Sequence, residues 1–129
     1  MKRHSKKRQS IIDCIKKTDE HPNAEWVYNK LKPLYPDLSL GTVYRNINEL
    51  KESGEICSLG VVLDKERFDG RTEPHSHAVC VKCGKIIDVD DFSLPDDTIE
   101  EIQKLTDFKI AYSQLQFIGL CEKCKMNGD

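Results

Sequence analysis

The sequence predicts an α+β protein of two small domains, helical in its front half and sheet-rich in its back half. Three observations carry this reading. Apolar residues recur at helical spacing in three successive segments before residue 54. Short runs of β-forming residues, punctuated by Gly, Asp and Pro, dominate after it. Two Cys-x-x-Cys pairs, Cys80–Cys83 and Cys121–Cys124, bracket the 37 residues 84–120.

The first helix is expected from Ser5 to Lys17, with Ile11, Ile12 and Ile15 as its apolar stripe. His21-Pro22-Asn23 ends the following turn, and Pro22 is expected to hold His21 extended at a fixed bend. Asn23 is the expected N-cap of a second helix, Ala24 to about Leu34. Ser39 caps a third, running to Ser53, with Gly54 as its C′ residue and Leu40, Val43, Ile47 and Leu50 on its buried side. Segments 55–59 and 66–69 then pair as a ribbon. Three helices and a ribbon make a winged helix. In the back half, strands over 78–81 and 85–89 flank the Cys80–Cys83 turn, Asp96 or Asp97 caps a helix to Leu105, and Phe108–Leu120 reads as one long strand. The expected boundary gives domains 1–68 and 69–129. A sheet with one helix is too small to bury much apolar surface, so a metal and a dimer interface along the sheet are expected to support it.

Composition narrows the function. The chain has 129 residues, 38% hydrophobic and 33% charged, as in soluble globular proteins. No apolar run is long enough to span a bilayer and no apolar signal segment follows the basic start, so no membrane partner is expected. Six cysteines without an export signal point to a reducing, cytoplasmic setting. The net charge of −2 hides an asymmetry: residues 1–54 hold 11 basic against 7 acidic residues, and residues 55–129 hold 9 against 15. A basic winged helix suits double-stranded DNA. Lys6, Lys7, Arg8 and Lys51 are the expected phosphate contacts. Ser39, Thr42, Tyr44 and Arg45 open the third helix, and Thr42, Tyr44 and Arg45 are expected to reach base edges.

The matched cysteine pairs are what a tetrahedral zinc ion requires, two sulfurs on each tight turn. The competing readings, two disulfides or unrelated thiols, explain neither the spacing nor Gly84 after the first pair. Five further residues favour harder metals: His21, Asp69, His75, His77 and Asp88. Imidazole and carboxylate suit iron(II), manganese(II) or zinc. His75 and His77 on an extended segment point the same way. Taken alone, Asp69 and Asp88 read as ordinary surface acids.

The motifs SLGTVYRNINELKESG (39–54), RFDG (67–70), HSHAVCVKCGKIIDV (75–89), GLCEKC (119–124) and HPNAEWVY (21–28) resemble the ferric uptake regulator family over nearly the whole chain. That resemblance implies a winged-helix DNA-binding domain followed by a small α/β dimerisation domain, acting as a metal-dependent repressor of palindromic operators. It puts structural zinc on Cys80, Cys83, Cys121 and Cys124, and regulatory iron(II) or manganese(II) on His21, Asp69, His75, His77 and Asp88. Three histidines with two aspartates resemble the peroxide-sensing branch, in which iron-dependent oxidation falls on a ligand histidine, here His21 or His75. Iron-sensing members usually place glutamate where Asp88 stands, and often have further histidines where this chain has Pro74 and Ser113. Two alternatives stay within the class, iron- and zinc-responsive regulators without peroxide sensing. From other classes, a zinc-dependent hydrolase lacks a general base, and a structural zinc scaffold leaves the histidines and aspartates without a role.

Overall fold

The computed structural model describes residues 6–127, so the expectation for Met1–Ser5 lies outside the described residues. The chain divides into two compact units, one ending at Thr72 and the other starting at Glu73. The architecture is mixed α+β. Among the described residues no helix is long and apolar enough to cross a membrane.

The first unit comprises α1 (Lys6–Lys16), α2 (Ala24–Leu31), α3 (Leu40–Glu52) and an antiparallel ribbon of β1 (Cys57–Val62) and β2 (Lys65–Asp69). Each later helix begins where a side chain satisfies an otherwise orphan amide. Asn23 accepts from the Trp26 N–H at 2.7 Å and Ser39 from that of Thr42 at 3.1 Å. α2 stops at Leu31, short of the expected Leu34, because Pro33 has no N–H to extend the ladder and the chain turns there. α3 ends as expected, with Gly54 in the left-handed conformation at φ 79°. The ribbon runs to Val62, closed by the two-residue turn Leu63–Asp64, both at positive φ, which matches the twist of paired strands. His21 corrects the extended expectation: its φ is +53°, in the left-handed region.

One cluster holds this unit together: Ile11, Ile12 and Ile15 of α1, Ala24, Val27 and Leu31 of α2, Leu38, Val43, Ile47 and Leu50 at α3, and Ile56 and Phe68 from the ribbon. Burying each large side chain is worth about 1.5–3 kcal/mol. The chain leaving β2 crosses α1 closely. A Cβ on Gly70 would lie 2.8 Å from the Lys16 Cα, so that crossing requires glycine.

The second unit comprises β3 (Ser76–Cys80), β4 (Ile86–Val89), α4 (Asp96–Thr106), β5 (Gln116–Gly119) and the short α5 (Glu122–Met126). The sheet order is β4-β3-β5, with β3 antiparallel to β4 and parallel to β5. The long strand expected over 108–120 shrinks to β5. Only Gln116–Gly119 find partners, opposite His77–Cys80, and β propensity without an edge to pair with does not make a strand. α4 starts after Pro95 with no side-chain cap bond; Asp96 and Asp97 sit in its first turn, where carboxylates favour the helix dipole. No α4 residue is buried. The buried apolar residues of this unit are Val79, Cys80, Ile86 and Cys124, while Ile87, Leu105, Phe108, Phe117 and Ile118 are exposed. This unit thus leaves more large apolar side chains exposed than it buries.

Ile47→Ala is expected to destabilise the protein by about 2–5 kcal/mol, since it opens a cavity at a fully buried position. Val61→Ala, on the exposed side of the ribbon, should stay within about 0.5 kcal/mol. Urea unfolding of the two variants checks the contrast.

Candidate metal centres and nucleic-acid face

The sulfur cluster forms where two turns of the second unit meet. Cys80 ends β3, Cys83 follows in the turn to β4, Cys121 precedes α5 and Cys124 lies within it. β3 and β5 run parallel with Cys80 opposite Gly119, and this register delivers the second pair to the first. The four sulfurs lie within 4.8 Å of one another, and Cys83 and Cys121 are 3.7 Å apart. All six cysteines of the chain are unbridged. Sulfurs at 2.3 Å from a tetrahedral zinc stand about 3.8 Å apart, whereas a disulfide needs about 2.05 Å. Amide N–H groups of Cys83 and Cys121 hold the Cys80 thiol down to about 5, and that of Cys124 lowers Cys121. Burial, then the neighbouring thiols, push Cys124 up to about 12. Crowded thiolates repel, and a soft divalent cation relieves that repulsion. The donor set fits zinc.

The other candidate ligands fall into two sets, one in each unit. In the second unit, His77 on β3 stands directly across the ladder from Asp88 on β4. Its Nε2 is 3.3 Å from Asp88 Oδ1, and His75 Nε2 reaches the same oxygen at 3.2 Å. The two rings are 4.3 Å apart, as alternation along an extended chain requires. His75 Nδ1 lies 2.8 Å from the Glu73 carbonyl oxygen, which only accepts, so Nδ1 donates there and Nε2 is left facing the Asp88 carboxylate. A proton or a metal ion can bridge that pair, and these donors fit iron(II), manganese(II) or zinc.

In the first unit, His21 and Asp69 are both buried, with His21 Nε2 3.5 Å from Asp69 Oδ2. The Arg71 amide donates to Asp69 Oδ1 at 2.9 Å and fixes the carboxylate. Arg67 donates from Nε to the His21 carbonyl and from Nη2 to that of Glu20 at 2.8 Å. These supporting groups were invisible to sequence reasoning. Arg67 lies inside the RFDG motif, but a motif does not say which carbonyl its arginine reaches.

The expected DNA-facing residues divide as well. Tyr44 and Arg45 are exposed on α3, Thr42 is half-buried and Ser39 is spent on the cap, its hydroxyl 2.9 Å from that of Thr42. Lys6 is exposed, Lys7 pairs with Asp37 at 3.0 Å, and Lys51 pairs with Glu66 at 2.9 Å. The Lys7 pair is solvent-exposed and so weak, whereas the Lys51 pair is half-buried. Arg8 is a correction. It is buried, and its guanidinium ties α1 to Glu49 at 2.8 Å and Glu55 at 3.4 Å, so two carboxylates already take the charge a phosphate would meet.

The chain is similar to known proteins over most of its length. The chain is 35% identical over 124 residues to the peroxide-responsive repressor PerR of Staphylococcus epidermidis, covering 95% of this chain and 81% of that protein. The crystal structure of the Campylobacter jejuni peroxide stress regulator superposes with a TM-score of 0.70 at 32% identity, over 92% of this chain and 88% of the other. The Helicobacter pylori ferric uptake regulator Fur superposes with a TM-score of 0.81 at 24% identity, over 95% and 82%, a likeness of fold. The profile of the Ferric uptake regulator family matches residues 2–118. The chain therefore belongs to the ferric uptake regulator family, whose members are transcription regulators and not enzymes.

Proposed function

We propose that the chain is a metal-dependent repressor that binds palindromic operator DNA as a homodimer and senses hydrogen peroxide, working in the cytoplasm where that DNA lies. The observation that carries it is the pair of imidazole–carboxylate sets, one in each unit, beside a separate four-sulfur cluster. Cys80, Cys83, Cys121 and Cys124 hold zinc and close the second unit, whose apolar core is too small to do so alone. His21 and Asp69 from the first domain join His75, His77 and Asp88 from the second around one iron(II) or manganese(II). Ligation then fixes the angle between the domains, and with it the spacing of two winged helices in the dimer. Moving such an equilibrium from mostly open to mostly closed takes roughly 5 kcal/mol of differential binding, within reach of five ligands.

On the operator, α3 lies in the major groove. Tyr44 packs on thymine methyls, Arg45 and Thr42 read base edges, and Lys6, Lys7 and Lys51 contact phosphates. Iron(II) held by these residues would supply the redox chemistry that activates peroxide. In the net reaction one hydrogen peroxide would give one oxygen atom to the ring of His21 or His75 and leave as water, and the oxidised ring would be a poorer donor. With a ligand lost, the domains are no longer held at the operator spacing and repression ends. Both rings are buried, as is that of His77. The presence of aspartate at position 88, together with likeness to proteins named peroxide-responsive repressors, favours this reading over an iron-responsive regulator.

His21→Ala is expected to abolish manganese-dependent operator binding while zinc content and dimer mass stay unchanged, as gel shift, metal analysis and light scattering would show. Metal-promoted binding that survives in this variant would break the proposed link between the domains. Peroxide added to protein loaded anaerobically with iron(II) should add one oxygen at His21 or His75, by peptide mass, and release the operator. Protein loaded with manganese(II) should show neither. Release that follows metal removal but ignores peroxide would make the protein an iron- or manganese-responsive regulator.

A further inference from the structure

We propose that Arg67 is the positioning residue of the first-unit metal half-site, holding His21 where it can ligate; this rests on the reading of His21 as a ligand. Three successive carbonyls of the turn, those of Glu20, His21 and Pro22, accept hydrogen bonds from two successive residues of β2. Arg67 supplies the first two through Nη2 and Nε, and the Phe68 amide supplies the third at 2.9 Å. The next residue along the strand is Asp69, whose Oδ2 faces His21 Nε2 at 3.5 Å. The turn that carries one candidate ligand is thus stitched, residue by residue, to the strand that carries the other.

The stitching has something to hold. His21 precedes a proline and adopts φ +53°, a left-handed conformation that a histidine leaves readily unless its surroundings fix it. The Phe68 amide bond lies beyond His21 and leaves the peptide on its N-terminal side unsecured; Arg67 covers both the His21 and Glu20 carbonyls. A guanidinium is suited to this because its planar fork presents two donors in fixed relation, matching two neighbouring carbonyl oxygens. A lysine ammonium in the same place would serve one carbonyl and leave the turn free to rotate about the other. Through these bonds Arg67 acts on the backbone that carries His21. Its effect is on where the His21 ring stands, and so on metal affinity.

The test compares full-length wild type, Arg67→Met, Arg67→Lys and His21→Ala, each dimeric and zinc-loaded, by calorimetric titration with manganese(II) alone and by the manganese electron-paramagnetic spectrum. Outer partners of metal ligands are typically worth about 10–100-fold in affinity. Both Arg67 variants are expected to lose at least about tenfold in manganese affinity, with a spectrum changed from that of wild type and with zinc content unchanged. A loss of fold alone would not give that combination. Should Arg67→Met melt early, Arg67→Lys decides, because it keeps the charge and most of the stem but not the fork. Wild-type affinity and spectrum in a folded Arg67 variant, with His21→Ala having lost the metal, would overturn the positioning role and leave the ligand reading standing. Unchanged manganese binding in His21→Ala would overturn both.

Discussion

Asp88 turns one carboxylate oxygen toward two imidazole nitrogens, at 3.2 and 3.3 Å, and the rest of the site follows from that confrontation. His75 Nδ1 donates to the Glu73 carbonyl, which leaves Nε2 aimed at the carboxylate. Two imidazole nitrogens converging on one carboxylate oxygen are a donor set suited to a cation. The backbone enforces it: β3 and β4 pair antiparallel with His77 opposite Asp88, and alternation along the chain brings His75 to the same side. The fold therefore builds a set of convergent donors into a sheet, and the same strand, β3, ends in the sulfur cluster.

That division of labour reflects the sizes of the two units. The first has a core of three helices and a ribbon, with Phe68, Ile47 and Leu50 fully buried, and is stable on ordinary hydrophobic grounds. The second buries few apolar side chains and exposes many. On the proposed reading, zinc on four thiolates and a partner along the exposed face are the means by which a unit of this size stays folded. Supporting the sheet through a soft sulfur site leaves the harder imidazole and carboxylate donors available to a different and exchangeable metal.

Much of this was legible in the residues. The Asn23 and Ser39 caps, the buried Val43, Ile47 and Leu50 of α3 and Gly54 at its end are local signals that the structure realises, while Leu40, expected in the same stripe, is only half-buried. Cysteine spacing likewise marked the sulfur cluster before any coordinates. What escaped depended on tertiary partners. Phe108–Leu120 has strand propensity throughout, yet only four residues of it find an edge. Arg8 looks like a phosphate contact within a basic run until Glu49 and Glu55 arrive from 41 and 47 residues away. The left-handed His21 ran against the rule for residues before proline, because Arg67 and Phe68 hold that turn from a distant strand. Local chemistry is readable from a window of residues; these exceptions were set by residues far outside it.

If metal and operator act through one domain angle, each must strengthen the other by the same factor, since coupling between two sites is reciprocal. The most direct measurement is therefore the manganese(II) affinity of the zinc-loaded dimer with and without a palindromic operator fragment, set beside operator affinity with and without manganese. The account expects equal tightening in both directions, at least about tenfold, a coupling of about 1.4 kcal/mol or more. Manganese affinity that is the same on and off the operator would contradict it, whatever else the metal does.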